Sequence, residues 1–270
     1  DTKEFLVARH LDLIGIGPGN PDWITLAAVK AIQSLDVLFV VLKEREVDDL
    51  VEFRREVLRR HRPDAGDPSA PHLLRLVELQ DPPRPWQSTP DYPKAVATWR
   101  AQRLEQWTQA VEGALEDGQR GGFLVWGDPS LFESTLAIVN RLIAEVDSRG
   151  GVPIELNVIP GISSSLSLAT RHQIALNRQG RAVQISPARL LEEGMPEGVD
   201  DVVVMLDGKQ TFSLIDPTGL DIYWAAYIGS PDEILISGPL ADVKDEILRV
   251  RAQAKEEHGW LFDTYLLRRR

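Results

Sequence analysis

The chain has 270 residues, enough for one large domain or two ordinary ones with a full core. Its 41 acidic and 30 basic residues give a formal net charge of -11, which argues against nonspecific binding of nucleic acid, where a basic face dominates. An anionic small substrate stays open, because a local arginine cluster can oppose the global sign. With no cysteine, disulfides, thiolate metal sites and a cysteine nucleophile are excluded, and a cytoplasmic enzyme is expected.

In chain order, short β-rich runs at 11–16, 37–42, 73–79, 122–126 and 153–159 predict strands. Helical patterns between them predict βαβ units and a mostly parallel α/β sheet. The apolar run 37–42 is far shorter than the roughly 20 residues that cross a bilayer, so no membrane contact is expected. No basic region followed by an apolar leader is read at the start. The first helix is opened by Asp22 as N-cap and turns Leu26, Val29 and Ile32 toward the sheet. Further helices are expected at 47–60, 94–116 and 130–146.

Two loops interrupt this pattern, at 62–71 and 81–93. The second holds Pro82, Pro83, Pro85, Pro90 and Pro93, a density through which no helix runs. It is either a lid or substrate-contact segment, or a surface connection stiffened by prolines.

From about Gly161 the pattern changes. A helix at 162–171 leads into strands at 183–186, 201–206, 222–228 and 233–237, then a helix at 243–255 and a strand at 260–267. Strands lie closer together here, which predicts a second, α+β domain with antiparallel pairing in a mixed sheet. The expected division is 1–160 and 161–270.

Three turns carry the chemistry. Gly15-Ile16-Gly17-Pro18-Gly19 follows the first strand, and such a glycine density lets a ligand approach the backbone, or simply makes a tight turn. Pro18 displaces the pattern G-x-G-x-x-G, and no G-x-x-x-x-G-K-[ST] run exists, so dinucleotide and phosphate loops are not supported. A rigid turn with one donor removed suits an adenine or sulfonium group better than a phosphate. Gly127-Asp128-Pro129-Ser130 follows another strand, where Asp128 either lines a pocket or, like Ser130, caps the next helix. The third turn, Pro160-Gly161-Ile162-Ser163-Ser164-Ser165, offers hydroxyls and free amides at a helix start.

In order and spacing, these turns together resemble the tetrapyrrole methylase family across nearly the whole chain. The resemblance implies two α/β domains, S-adenosylmethionine held in a cleft between them, and a homodimer. Carried over by position, it implies cofactor contacts from Pro18, Trp126, Gly127, Asp128, Leu131, Ser163 and Ser164, and from Met205, Leu206 and Gly229 in the second domain. Trp126 departs from the pattern, since many relatives have a glycine there.

Further stretches resemble the branch of this family that methylates precorrin-5 at ring carbon C1 and releases acetate, in cobalamin biosynthesis. They are Leu42-Lys43-Glu44 with the following Asp48-Asp49-Leu50, Asp81-Pro82-Pro83-Arg84, Gly127 through Thr135, Ser230-Pro231-Asp232-Glu233 and the tail around His258-Gly259-Trp260 and Asp263-Thr264-Tyr265. A methyltransferase of different regiospecificity and a non-catalytic tetrapyrrole-binding module are the alternatives.

A precorrin carries many carboxylates and calls for arginines, whose planar fork binds them. Arg54, Arg55, Arg59, Arg60 and Arg62 form one group, and Arg171, Arg178 and Arg181 another. Arg84 and Arg178 are the expected substrate contacts. Methyl transfer needs alignment, which supplies roughly 7–11 kcal/mol of barrier reduction. Acetate release needs water and a general base, for which Asp128 and Glu133 are the candidates. Glu133 is otherwise a favourable charge in the first turn of a helix. His10, His61, His72, His172 and His258 show no metal spacing, so no protein-bound metal is expected.

Overall fold

The computed structural model describes residues 7–42, 48–65, 67, 69, 73–83 and 92–270. Two compact units emerge, one of Asp1–Gly17 with Pro21–Gly161, the other of Pro18–Asn20 with Ile162–Arg270.

The first unit runs β1 (Arg9–Gly15), α1 (Leu26–Ser34), β2 (Val37–Leu42), α2 (Asp48–His61), β3 (Arg75–Gln80), α3 (Tyr92–Ala114), β4 (Arg120–Val125), α4 (Thr135–Ser148) and β5 (Ile154–Ile159). Its strands pair in the order β3-β2-β4-β1-β5, every pair parallel. Parallel strands need crossovers, and crossovers are right-handed. The steps β1 to β2 and β2 to β3 move one way along the sheet, while β3 to β4 and β4 to β5 move the other. Handedness therefore sends α1 and α2 to one face and α3 and α4 to the opposite one. The cores agree: Ile14, Ala28, Ile32, Phe53 and Val57 pack together, and Leu13, Trp107, Val111, Val139 and Leu142 form a separate cluster. Asp12, fully buried on β1, fixes the register by taking Arg120 of β4 at 3.0 Å and Asn157 of β5 at 3.2 Å.

Two helix starts differ from expectation. Thr25, not Asp22, caps α1, its Oγ1 accepting from the Ala28 amide at 3.1 Å, while Asp22 pairs with Arg60 at 2.5 Å. Leu26 consequently points outward at 79% exposure, and Ala28, Ala31 and Ile32 make the buried face. Helix α4 begins at Thr135, five residues later than expected, because residues 128–134 form a separate turn.

The second unit contains α5 (Ser164–Arg171), β6 (Gln184–Pro187), β7 (Asp201–Met205), β8 (Leu220–Ala226), β9 (Ile234–Pro239), α6 (Leu240–His258) and β10 (Asp263–Arg269). The order is β6-β7-β10-β8-β9; β6 and β7 are parallel and the other pairs antiparallel, so the sheet is mixed. Two 3-10 turns, Ala188–Leu191 and Thr211–Ser213, have no counterpart in the sequence reading. The core is built on Trp224, Phe212, Tyr265 and Leu267, with Ile247 and Ala254 of α6 against them.

Candidate active site

In an open α/β sheet the natural ligand crevice lies where neighbouring strands send their chains to opposite faces. In the first unit that point is the carboxyl end of β1 and β4, which are adjacent and lead to α1 and α4 on opposite faces. The first two glycine turns occupy it. Gly17 and Gly127 bond each other reciprocally, Gly127 N to Gly17 O at 2.9 Å and Gly17 N to Gly127 O at 3.2 Å. Gly161, after β5, closes on the same spot. A Cβ on Gly15 would stand 2.5 Å from Gly161 N, and one on Gly161 would strike the carbonyl oxygen of Gly127. Gly15 and Gly161 are thus glycines for backbone packing. Gly127 differs: its φ is +67° and nothing lies within 4 Å of an added Cβ, so its open side can accept a ligand.

Asp128 clasps this junction. One carboxylate oxygen accepts from the Ser130 amide at 2.8 Å and from the Ser130 hydroxyl, and the other from the Gly161 amide at 2.9 Å. Burial pushes its carboxyl up, but the Ser130 and Gly161 hydrogen bonds outweigh that and hold it below the usual range. Asp128 therefore ties the second turn to the third instead of capping α4. Glu133 lies just ahead of α4, not inside it. Its Oε1 accepts from Ser134 N at 2.8 Å, Thr135 N at 2.9 Å and Thr135 Oγ1 at 2.7 Å, while Ser134, the N-cap residue, makes no side-chain capping bond. Leu131 is half-buried, and the Trp126 ring packs edge-on against Phe53 at 5.0 Å.

In the second unit, Pro18 is buried, and a Cβ on Gly19 would strike the Ile228 carbonyl oxygen, so the Pro18–Asn20 segment rests on the 228–230 turn. Ser163 caps α5 and shares a 2.6 Å hydrogen bond with Ser165. Among the described residues the half-buried Ser164 hydroxyl makes no hydrogen bond, which leaves it the available one of the pair. Met205 is half-buried at the end of β7, and Leu206 follows with φ 59° and 59% exposure. A left-handed leucine persists only where its surroundings impose it. Here Asp207 does so, its carboxylate accepting from Thr211 N at 2.7 Å, Lys209 N at 3.1 Å and the Tyr265 hydroxyl at 2.8 Å. Burial, with Asp207 alongside, pushes the Tyr265 hydroxyl up, so it stays protonated and donates. Sequence reasoning missed Asp207; the signal was an acidic residue directly after the Met205-Leu206 pair.

The expected arginines divide. Arg178 is engaged, its Nε on the fully buried Asp201 at 3.0 Å and its Nη1 on the Arg269 carbonyl at 3.0 Å. Arg84 lies outside the described residues. Arg59 and Arg60 both hold Glu56, lowering its carboxyl to about 2, and Arg62 is buried, donating to Ile32 O at 2.9 Å and Leu35 O at 2.5 Å. No group of three metal-ligating side chains occurs among the described residues.

The sequence pattern of the Tetrapyrrole (Corrin/Porphyrin) Methylases matches residues 10–244. A protein of Sinorhizobium sp named precorrin-6A synthase (deacetylating) is 41% identical over 263 residues, covering 97% of this chain and 95% of that one. The crystal structure of a cobalamin synthesis related protein, CobF, from Corynebacterium diphtheriae is 29% identical with a TM-score of 0.80, covering 97% of this chain and 99% of that one. A uroporphyrin-III C-methyltransferase from Thermus thermophilus, solved with S-adenosylhomocysteine, shares the fold at 20% identity and a TM-score of 0.55, over 96% of each chain. A match running from β1 into α6, through all three interlocking turns, has one meaning: the chain belongs to the tetrapyrrole methylases.

Proposed function

We propose that the protein is an S-adenosylmethionine-dependent C-methyltransferase that converts precorrin-5 to precorrin-6A, methylating C1 and releasing acetate. The observation that carries this reading is 41% identity, over almost the full length of both chains, to a precorrin-6A synthase (deacetylating). The likeness to CobF supports it, and family membership together with a fold relative solved with S-adenosylhomocysteine supports the methyl donor. As part of the same reading, the enzyme acts as a homodimer in the cytoplasm. No described helix is long and apolar enough to cross a membrane.

The residues present fit such a donor. Gly127 offers an open backbone face, Pro18 withholds a hydrogen-bond donor, and no lysine-bearing phosphate loop competes. When bound, S-adenosylmethionine supplies a methyl group on a positively charged sulfur. Trp126 (through its backbone), Gly127, Asp128, Leu131, Pro18, Ser163, Ser164, Met205, Leu206 and Gly229 are the residues that would hold it. Asp128 acts by fixing the Gly127 turn, since both of its carboxylate oxygens are already taken by hydrogen bonds. Glu133 is the better-placed group for deacetylation: all three of its hydrogen bonds fall on Oε1, leaving Oε2 to take a proton from the water that adds to the acetyl carbonyl. Cleavage then gives acetate and leaves the bonding pair on the macrocycle. Arg84 is assigned to a substrate carboxylate, and Arg178, already paired with Asp201, holds the second unit's sheet instead.

Incubation with precorrin-5 and S-adenosylmethionine, read by mass spectrometry and an acetate assay, is expected to give methylated product and acetate in equal amounts. Glu133→Gln is expected to slow acetate release by about 100-fold, the scale of a lost general base, with binding of S-adenosylhomocysteine unchanged. Methylation without acetate overturns the assignment to precorrin-6A formation, and no turnover of any precorrin overturns the enzyme reading.

A further inference from the structure

Glu233 joins two pieces of the second unit that sequence reading kept apart. Its Oε2 accepts from the Gly229 amide at 2.8 Å, and its Oε1 accepts from Arg171 Nε at 2.8 Å, with Arg171 Nη2 at 2.7 Å. Glu233 is 12% exposed and its bond to the Gly229 amide is part-buried, while Arg171 reaches it from the solvent side at 44% exposure. Arg171 is the last residue of α5, whose other end carries the Ser163 cap and Ser164. The Gly229 turn is itself unusual, because Tyr227 just ahead of it has φ 51°. That strained aromatic is held by its hydroxyl, which donates to the Trp260 carbonyl at 2.6 Å. On the far side of the turn, Gly19 packs against the Ile228 carbonyl. Helix α5 is thus a strut: the serine turn stands at one end, and at the other Arg171 and Glu233 set the turn on which Pro18–Asn20 rests.

We propose that Glu233, oriented by Arg171, is a positioning residue for methyl-donor binding, acting through the Gly229 turn and the Pro18–Gly19 segment it supports. The proposal rests on the reading that these segments contact S-adenosylmethionine. A charge-assisted bond to a backbone amide that is otherwise orphaned is costly to lose, because the freed N–H leaves the turn without its anchor.

The test is calorimetric titration of the full chain with S-adenosylhomocysteine, alongside donor KM and kcat. Glu233→Ala is expected to weaken binding about tenfold or more and to raise the donor KM with kcat little changed. Glu233→Gln keeps an oxygen for Gly229 N but loses the charge that holds Arg171, and is expected to recover part of the affinity. Arg171→Ala should shift affinity in the same direction by less, and Arg149→Ala, which removes an exposed pair with Glu112 at 2.8 Å in the first unit, should not shift it. If Glu233→Ala does not fold, Glu233→Gln and Arg171→Ala decide. Wild-type protein that fails to bind S-adenosylhomocysteine overturns the cofactor reading itself. Wild-type binding with unchanged affinity in the Glu233 and Arg171 variants overturns the positioning role alone.

Discussion

At the scale of single residues, the glycines separate into those that make room for the chain and those that make room for something else. Gly161→Ala must push its Cβ into the Gly127 carbonyl, and backbone at a three-strand junction cannot give way as a side chain can. A loss of about 1–3 kcal/mol or more in urea unfolding is expected. Gly113→Ala, in α3 with open space around it, should instead gain about 0.5–1 kcal/mol. Equal effects at the two sites would contradict the packing account. Asp128 gives a pH signature. Its folded carboxyl sits below the ordinary value of about 3.9, so its contribution is present above that pH and fades as pH falls through the folded value. The stability gap between wild type and Asp128→Asn should therefore be wide at pH 7 and shrink as acid titration passes below the ordinary carboxylate range; a gap constant with pH would show that the charge plays no part.

At the scale of elements, α3 is tied to the sheet by one buried pair. Arg103 reaches Asp81, just past β3, at 2.7 Å, and each side chain is about 5% exposed. Its guanidinium stands 4.7 Å from the Trp107 ring centroid and 5.3 Å from that of Trp99, and its Nη1 donates to Ser134 Oγ at 3.2 Å, ahead of α4. Trp99 fastens the same corner by donating to the Pro82 carbonyl at 2.7 Å. Removing one partner strands a buried charge, so Arg103→Ala should cost about 3–5 kcal/mol in chemical denaturation. The double variant Arg103→Met, Asp81→Leu should recover much of that loss, because two apolar groups leave no orphan. A double variant no better than Arg103→Ala would place the cost in packing and not in charge. The same corner shows what sequence could and could not say about elements. Proline density marked the loop beginning at Asp81, but nothing local linked Asp81 to a residue 22 positions later. Likewise, α1 was legible from its apolar spacing, whereas its start was not. Asp22 and Thr25 are both good caps, and Asp22 was drawn off by Arg60.

At the scale of the molecule, the alternation of strands and helices determined a parallel first sheet, because parallel neighbours require crossovers that sequence shows directly. The crowding of strands after Gly161 determined antiparallel pairing within a mixed second sheet, and the tertiary structure decided that its parallel pair is β6 with β7. Residue types in three short turns, taken together, sufficed for the family, and with it the class of chemistry. What only the tertiary structure decided is which contacts each group makes within and around those turns. It turned Gly15 and Gly161 into packing glycines, gave Asp128 to the Gly161 amide, moved Glu133 outside its helix and committed Arg178 to Asp201. It also brought Glu233 to Gly229 and Asp207 to Tyr265. The physical reason is one of range. Periodicity and turn chemistry are local and act within a few residues, whereas a carboxylate's role depends on which donors the fold brings within 3 Å, and those come from segments that sequence alone does not place side by side.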